Sequence, residues 1–292
     1  MALIRVALTL DDAPCITERG VASDPSHMDA IRVTLKEHGV RHCVAFVIGG
    51  TARGHEAALR RWIDDGYELG NHTYDHPRAS RVSVSHFVKS MQQCHELLLS
   101  VGAFDAERTA WFRFPFLSRG SDAGARSEIQ RECEALGYRI AHASVDFYDN
   151  YFEQRFSEAA RVGREGETTA IGGRYEEVAF ESLQFAAARV LETQGRAAPL
   201  VPYCHFGLLS RRHLGGILRK LDAAGIELCS LVEAMRDPIY AHFDTDPSRD
   251  GLVLHTLPKS PVTRVTSGLA RLSEFVGVAD QARFGPRWPY LR

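Results

Sequence analysis

The sequence predicts an α/β fold with a parallel sheet, and three observations lead to this prediction. Short apolar, β-branched runs alternate with stretches of helical period along most of the 292 residues. One run and one helical stretch together recur about every 30–40 residues, as in βα units. Hydrophobic residues make up 45% of the chain and charged residues 25%, the ordinary composition of a globular protein. These features indicate a βα barrel or a doubly wound sheet.

The strands and helices are predicted from the periodicity of apolar residues and from the residues that end each segment. Strands are predicted at residues 3–9, 40–48, 67–69, 109–113, 138–145, 200–205 and 226–231. Helices are predicted between them at residues 26–38, 52–64, 83–100, 125–136, 176–194 and 212–224. In the third helix, Phe87, Met91 and Cys94 fall on one face, which is typical of a helix packed on a sheet.

Two glycine-rich stretches are predicted to be irregular, and the end of the chain differs in character from the rest. Residues 163–173 are rich in Gly and Glu and are expected to form a loop. Gly49-Gly50-Thr51 lacks the Lys-Ser/Thr pair of a phosphate-binding loop and is interpreted as a turn. Beyond about residue 240 the periodicity weakens and prolines become frequent. We therefore predict one main domain at residues 1–240 and a C-terminal extension at 241–292 that packs on it.

Charge and cysteine usage exclude several classes of protein. The net charge is −2, the pI is near 6.7 and no Lys/Arg-rich run occurs, so no nucleic-acid partner is expected. No run of about 18 apolar residues is present, so no membrane span is expected. The six cysteines are scattered without a CxxC pair, which favours free thiols in a reducing compartment. Residues 1–10 have the pattern of a strand rather than of a secretory signal, so a cytoplasmic location is expected. A homo-oligomer is compatible with this sequence.

Candidate functional residues lie where predicted strands end. Asp11 and Asp12 directly follow the first strand, and in α/β barrels the carboxyl ends of the strands carry the active site. A helix cap is the structural alternative for this pair. His72 and His76 are four residues apart, so one helical turn would put both imidazoles on one face for a single metal ion. Asp12 would complete a site of two histidines and one carboxylate with an open coordination position, as in catalytic zinc sites.

Three further polar groups follow predicted strands. Arg113 stands before the aromatic turn Phe114-Pro115-Phe116. Asp146 and Asp149 are three residues apart in the run DFYDN, and His205 precedes a glycine turn in PYCHFG. Each group alone is compatible with an ordinary loop. Their order along the chain, together with the earlier two motifs, is what indicates a common site.

In this order the motifs resemble those of the polysaccharide deacetylases, also called carbohydrate esterase family four or the NodB-homology domain. The family carries T-F-D-D-G-P, H-[ST]-x-x-H, R-x-P-[FY], D-x-x-D-W and L-x-H, and this chain carries TLDDAP, HTYDH, RFPF, DFYDN and YCH. The resemblance spans roughly residues 4–240. It implies a distorted (β/α) barrel in a single domain, followed by the C-terminal extension.

The resemblance also implies a metal site and a hydrolytic reaction. The residues that match the family's metal ligands are Asp12, His72 and His76. They would hold one divalent ion, usually zinc in this family, with Co²⁺, Ni²⁺ and Mn²⁺ as the other candidates. Metal-activated water would attack an amide carbonyl. The implied reaction removes the N-acetyl group of an amino sugar in a poly- or oligosaccharide or a glycoconjugate.

Four more residues take catalytic roles by the same resemblance. Asp11 matches the general base, and Arg113 matches the residue that orients this base. His205 matches the general acid, and Asp149 matches the carboxylate that tethers the acid and keeps its pKa high. The positions expected to contact the substrate are Pro115, Phe116, Tyr148 and Tyr203.

The chain departs from the family pattern at three positions. Ala13 replaces a glycine of the first motif, which is a small change. Asn150 replaces the tryptophan that lines the sugar groove in polysaccharide-active members, although Tyr148 or Tyr151 could supply an aromatic wall. Tyr203 replaces the leucine that borders the acetyl-methyl pocket. The last two changes affect the walls of the substrate site and leave the reacting centre intact.

Two alternative functions follow from these departures. Relatives of the family hydrolyse C–N bonds outside sugars, such as cyclic amides, and the missing groove tryptophan favours this possibility slightly. A non-catalytic carbohydrate-binding protein on the same fold is the alternative from a different class, because a fold alone does not determine function. The complete set of reactive residues argues against it.

Overall fold

Seven short parallel strands form the main sheet of the computed structural model, which describes residues 4–16, 24–105, 108–245 and 251–257. The strands are β2 (Thr9–Ala13), β3 (Val44–Val47), β4 (Glu68–Asn71), β5 (Trp111–Phe112), β6 (Arg139–Ile140), β7 (Val145–Asp146) and β8 (Pro202–His205). Their order across the sheet is β6-β5-β4-β3-β2-β8-β7. Two further strands, β1 (Arg5–Val6) and β9 (Glu227–Leu228), pair in parallel as a separate sheet.

The sheet must curl, because its two edge strands are neighbours in the sequence. Residues 141–144 alone join β6 to β7, and such a link spans at most about 18 Å. A flat sheet of seven strands would be about 29 Å wide. The strands therefore form a partly closed barrel, with β6 and β7 on either side of its opening. This arrangement confirms the predicted distorted (β/α) barrel.

The helices cover the outside of the curled sheet. They are α1 (Ser26–Glu37), α2 (Gly49–Ala52), α3 (Glu56–Asp64), α4 (Val84–Ser100), α5 (Ala123–Ala135), α6 (Asp149–Arg161), α7 (Glu165–Gln194), α8 (Leu208–Ala223), α9 (Leu231–Ala234) and α10 (Pro238–Thr245). The helices α6, α7 and α8 pack on one another, and α1 packs between α3 and α8. Their buried faces and the strands share one large core that includes Trp62, Phe46 and Tyr175.

Two predicted strands are each divided in the structure. The segment predicted at 3–9 forms β1 and then β2, and β2 continues through both aspartates to Ala13. The segment predicted at 138–145 forms β6 and β7, which lie at opposite edges of the sheet. Apolar periodicity does not distinguish one strand from two, because residues 141–144 are buried where they cross the barrel opening.

The predicted loop at residues 163–173 is wrong, because most of it belongs to α7. Gly163 has a left-handed backbone (φ 71°) after α6, and α7 begins two residues later with Glu165 and Glu167 in its first turn. Acidic side chains favour a helix N-terminus. The helix then buries Ile171 and Tyr175 against the core. The helix α6 was not predicted at all, and Gly49-Gly50-Thr51, interpreted as a turn, forms the start of α2.

Residues 251–257 lie across the opening of the barrel. The N–H of Gly251 donates to the carbonyl oxygen of Leu117 at 3.0 Å, and the N–H of Val253 donates to that of Ala143 at 3.0 Å. Val253 and Leu254 are buried in the core. The division into a domain at 1–240 and an extension at 241–292 stays a prediction, since α10 crosses residue 240 and most of the extension lies outside the described residues.

All six cysteines are free and buried, in agreement with the prediction of free thiols. Burial raises the pKa of the Cys94 thiol to about 12, so this group is unreactive at neutral pH. None of the helices in the described parts of the chain combines the length and the apolar character needed to cross a membrane.

Gly172 and Gly173 are adjacent in α7 but differ in their surroundings, which predicts opposite effects of replacing each with alanine. Gly173→Ala should stabilise the protein by about 1 kcal/mol, because Gly173 is an exposed helical residue with open space beside it. Gly172→Ala should destabilise it by about 1–3 kcal/mol, because the added methyl group would overlap the ring of His213 on α8. Chemical denaturation of both variants checks the pair. A destabilised Gly173→Ala variant would contradict a helix at this position.

Candidate metal centre

Two adjacent carboxylates lie at the carboxyl end of the central strand β2. The pairing of β2 with β3 shifts register between Leu10 and Ala13, and Asp12 has a left-handed backbone with φ 63°. This irregularity interrupts the normal alternation of side chains along a strand. As a result Asp11 and Asp12 are both buried at the same end of the barrel.

The two histidines lie on a loop after β4, so the predicted helical turn is wrong. No helix occurs at residues 72–76. Instead Thr73 (φ 66°) and His76 (φ 53°) adopt left-handed conformations, and the loop turns back on itself. The two imidazole rings lie 4.9 Å apart. The backbone therefore brings the side chains together in the way that the helix was expected to do.

Asp12, His72 and His76 converge on one point and fit a metal ion. Oδ1 of Asp12 lies 3.5 Å from Nε2 of His72 and 3.3 Å from Nε2 of His76. Ligand atoms about 2.1 Å from a tetrahedral ion are about 3.4 Å apart, so these two separations are the expected ones. This Oδ1 is buried and accepts no hydrogen bond from any residue that the structure describes. An unpaired carboxylate oxygen is costly to bury, and a cation would offset that cost.

The protonation states of the two histidines also suit metal ligands. Nδ1 of His72 lies 2.8 Å from the carbonyl oxygen of Arg113, so the ring proton resides on Nδ1 and the lone pair on Nε2 faces Asp12. Burial lowers the pKa of His72 to about 4 and that of His76 to about 4. Both rings are therefore neutral at pH 7, as binding through nitrogen requires.

Arg113 holds Asp11 in a buried ion pair. Nη1 of Arg113 donates to Oδ1 of Asp11 at 2.7 Å and to Oγ1 of Thr9 at 2.8 Å. The guanidinium carbon lies 4.1 Å from the centre of the Phe46 ring. Burial alone would raise the pKa of Asp11, but Arg113, His72 and His205 together outweigh burial and hold this pKa below its usual range. Asp11 is therefore a carboxylate whose second oxygen, Oδ2, lies 4.0 Å from Nε2 of His72.

His205 enters the site from β8, next to Asp11. The two residues are register partners on adjacent strands. Asp149, the first residue of α6, accepts hydrogen bonds from the backbone N–H of His205 at 2.7 Å and from Nδ1 at 2.9 Å. Burial opposes the charged form of His205, yet the carboxylates of Asp149, Asp12 and Asp11, with Asp149 contributing most, together hold the pKa of His205 well above its usual value. Because Nδ1 of His205 is hydrogen-bonded to Asp149, Nε2 is the ring nitrogen of His205 that is available for proton transfer.

Glu153 was missed by the sequence prediction. It lies one turn after Asp149 on α6 and is buried. Its carboxylate accepts from the backbone N–H groups of Leu208 at 3.1 Å and Leu209 at 3.0 Å, which are the first residues of α8. Asp149 and Glu153 thus hold both sides of the turn that follows His205. The i,i+4 spacing of the two acids would have indicated a shared helix face had α6 been predicted.

The four positions expected to contact substrate differ in exposure. Phe116 is 51% exposed at the rim, where its ring lies 4.6 Å from that of His76. Pro115 is buried at the start of a 3₁₀ turn, and its contact with substrate stays a prediction. Tyr148 is partly exposed and precedes α6 with φ 61°.

Tyr203 forms a polar pair that the sequence prediction did not include. Its hydroxyl donates to Oδ2 of Asp146 at 2.8 Å, and its ring lies edge-on to that of His205 with 5.6 Å between centres. Burial raises the pKa of Asp146 to about 6. The wall beside His205 therefore carries a fixed hydroxyl and a carboxyl group where the family pattern has leucine.

Strained backbone is concentrated at this site. Six residues other than glycine have positive φ in the described part of the chain. Five belong to the motifs above, namely Asp12, Thr73, His76, Phe116 and Tyr148, and the sixth, Leu117, directly follows RFPF. Each such conformation costs about 1–3 kcal/mol and persists only where surrounding contacts impose it. Such strain is common at functional sites, where it fixes side chains that an ordinary backbone would direct elsewhere.

Comparison with known proteins identifies the family. The model of the family described as polysaccharide deacetylase matches residues 4–141, which carry the first three motifs. Residues 4–141 therefore belong to the polysaccharide deacetylase family. The two remaining motifs, around Asp149 and His205, lie beyond the matched residues, although the geometry above brings both to the same site.

The curated relatives that match this chain are partial matches. Peptidoglycan-N-acetylglucosamine deacetylase PgdA of Listeria monocytogenes is 26% identical over 145 residues, covering 50% of this chain and 26% of the relative. Chitin deacetylase of Colletotrichum lindemuthianum is 30% identical over 149 residues, covering 49% and 52%. The matches thus span from about a quarter to half of these relatives.

Solved structures share the fold. Peptidoglycan deacetylase PdaC from Bacillus subtilis matches with a TM-score of 0.53 and 19% identity, covering 84% of this chain and 96% of that one. A pseudoenzyme of carbohydrate esterase family four from Bacillus anthracis matches with a TM-score of 0.54 and 15% identity, covering 79% and 64%. Active and inactive proteins therefore share this architecture, and function must be argued from the residues of the site.

The position of Glu153 predicts a loss of stability that a neighbouring acid should not share. Glu153→Gln should lower the free energy of unfolding by about 1–2 kcal/mol, because the amide keeps one uncharged acceptor and places a second donor against a backbone N–H at the start of α8. Glu158→Gln is the matched control, since Glu158 is exposed on the same helix and its side chain accepts a hydrogen bond from Gln154, one turn earlier on α6. Denaturant unfolding compares the two. Equal effects would show that Glu153 does not support α8.

Proposed function

We propose that this polysaccharide deacetylase is an active, metal-dependent amide hydrolase that removes the N-acetyl group from an amino-sugar substrate. The observation that carries the proposal is the unpaired, buried oxygen of Asp12 between the Nε2 atoms of two neutral histidines. Further support comes from the relatives, which are a peptidoglycan-N-acetylglucosamine deacetylase and a chitin deacetylase. The substrate class proposed is an N-acetylated oligosaccharide, polysaccharide or glycoconjugate.

Asp12, His72 and His76 would hold the divalent ion, for which zinc is the first candidate because two imidazoles and one carboxylate suit it. When bound, the ion would polarise the amide carbonyl and make water more acidic. The remaining residues supply proton transfer and orientation. Asp11, held by Arg113 through Oδ1, has Oδ2 available to accept a proton from the attacking water.

In the proposed reaction, water oxygen forms a bond to the carbonyl carbon as Asp11 takes a proton from the water. The C–N bond then breaks, and its electron pair goes to nitrogen. Nitrogen takes a proton from Nε2 of His205, whose cationic form is favoured by Asp149. The products are acetate and the free amine, so one water is consumed for each amide. Asp11 later releases its proton and His205 regains one, which restores the starting state.

A second candidate substrate class is favoured by the wall beside His205. Tyr203 and Asp146 present polar atoms next to the candidate acid, and Asn150, in place of the groove tryptophan, is exposed. A polar wall suits an amide that carries its own hydrogen-bonding groups, such as a cyclic amide. Assays of acetate release and of ring opening, run side by side, distinguish the two classes.

The expected cytoplasmic location stays a prediction, as does a homo-oligomer. Support for the location comes from the six cysteines, which are free and buried in the structure.

The first experiment measures metal content and activity together. Purified protein should contain about one zinc per chain, and acetate release from N-acetylated oligosaccharides should stop after chelation and return with added metal. Asp12→Ala and His76→Ala should lose both properties. His55→Ala is the control, because His55 is exposed just before α3 and belongs to none of the motifs of the site. Folded protein without metal would overturn the proposal and favour a binding protein. Bound metal without acetate release would direct attention to the second substrate class.

A second variant separates proton transfer from metal binding. Asp11→Asn keeps an oxygen for the hydrogen bond from Arg113, so the metal content should stay the same. The kcat should fall by about 10²–10⁴-fold, because an amide cannot accept the proton from water. His205→Ala should likewise retain metal and turn over slowly. A near-normal rate for Asp11→Asn would show that another group is the base.

A further inference from the structure

A chain of buried polar groups extends from the dihistidine loop toward the outside of α4. Asn71, the last residue of β4, has no exposed surface. Its Oδ1 accepts from the backbone N–H of Thr73 at 2.7 Å. Its Nδ2 donates to the carbonyl oxygen of Met91 at 2.9 Å and to the hydroxyl of Tyr138 at 2.9 Å. The Tyr138 hydroxyl also lies 2.7 Å from Nδ1 of His95.

The directions of the three hydrogen bonds made by the Asn71 side chain are determined. A backbone N–H can only donate, so the atom of Asn71 that faces Thr73 is the oxygen. The amide nitrogen must then face Tyr138 and donate to it. The Tyr138 hydroxyl still has its own proton to donate, and Nδ1 of His95 accepts it when the neutral ring carries its proton on Nε2. All hydrogen-bonding groups of Asn71 are thereby satisfied.

This series of hydrogen-bonded polar groups ends at the turn that brings the candidate metal ligands together. Thr73 lies between His72 and His76 and has a left-handed backbone. Its N–H is held by Asn71, and its carbonyl oxygen accepts from the N–H of Gly49 at 3.0 Å. Because the conformation is strained, it depends on these contacts. If the amide of Asn71 rotated, the contact that fixes Thr73 would be lost.

We propose that Tyr138 is a positioning residue of the metal site, which orients Asn71 and, through it, the loop from His72 to His76. The inference rests on the proposed function, since it concerns the affinity of the proposed metal centre. Tyr138 lies in a second core cluster and reaches the metal ligands only through Asn71. No catalytic contact is assigned to it.

Tyr138→Phe tests the proposal, with Tyr67→Phe as the matched control. The phenylalanine keeps the ring contacts of Tyr138 with Phe104 and Phe112, whose centres lie 5.7 and 5.8 Å away. Tyr67 is another buried tyrosine, and its hydroxyl donates to the carbonyl oxygen of Val40, away from the site. Both variants lose one buried hydroxyl. We expect Tyr138→Phe to bind zinc about tenfold more weakly in competition with a chromophoric chelator, and Tyr67→Phe to bind it as the unsubstituted protein does.

Two further measurements separate positioning from a general loss of stability. In an Asn71→Ala background, Tyr138→Phe should cause no additional loss of zinc affinity. The reason is that Tyr138 acts by orienting the Asn71 amide, which is already absent in that background. His95→Leu removes the acceptor at the partly exposed end of the chain and should weaken zinc binding, whereas Gln92→Leu on the same helix should not. If Tyr138→Phe fails to fold, the comparison of His95→Leu with Gln92→Leu tests the proposal without changing Tyr138.

The outcomes distinguish this inference from the proposed function. If the unsubstituted protein binds no divalent ion, the proposed function fails and the inference fails with it. If it binds zinc and Tyr138→Phe binds equally well while losing the same stability as Tyr67→Phe, Tyr138 is only a core residue and the inference alone is overturned. Additive effects of Asn71→Ala and Tyr138→Phe on zinc affinity would overturn it too.

Discussion

The short link at residues 141–144 constrains the whole architecture, because it must connect the two edges of a seven-stranded sheet. The sheet can meet this demand only by curling, and curling gathers the carboxyl ends of its strands around one small area. Strands β2, β4, β5 and β8 each contribute a site residue at or just beyond their ends. The curling of the sheet therefore makes neighbours of residues that are far apart in sequence, and contacts such as the Arg113–Asp11 ion pair then fix their orientation.

Within that area, Arg113 connects the separate parts of the site. Its guanidinium holds Asp11, its carbonyl oxygen fixes the ring of His72, and its N–H donates to the carbonyl oxygen of Asn71 at 3.0 Å. One residue thus sets the charge of the candidate base and the orientation of a candidate ligand. Its own position is set by Ala141, whose carbonyl oxygen accepts from Nε at 3.1 Å. Ala141 belongs to the same link that forces the sheet to curl.

Much of this arrangement could be predicted from the sequence, because strands that end in polar residues are a local pattern. Their places after predicted strands, the order of their motifs and the family resemblance assigned Asp11, Asp12, His72, Arg113 and His205 to one site. The structure brings these residues together. The conformation of the dihistidine loop could not be predicted, since it depends on left-handed residues stabilised by distant contacts.

Other features were missed because they depend on contacts between segments that are distant in sequence. The run that begins α6 was interpreted only as the end of a strand, so the shared helix face of Asp149 and Glu153 was not noticed. Tyr138 and His95 lie 43 positions apart and have no motif in common. Apolar periodicity reports which face of a segment is buried, and it carries no information about which polar groups meet inside the core.

The central position of β2 has a consequence for how the chain acquires its structure. Thr9 and Pro202 are hydrogen-bonded although 193 positions separate them, because β8 inserts between β2 and β7. Such distant pairings form late, since closing a long loop costs chain entropy before any contact repays it. During synthesis, β2 presents an open edge for as long as β8 is still missing, and open edges invite pairing with other chains. A chain cut short before β8 would keep that edge and tend to aggregate.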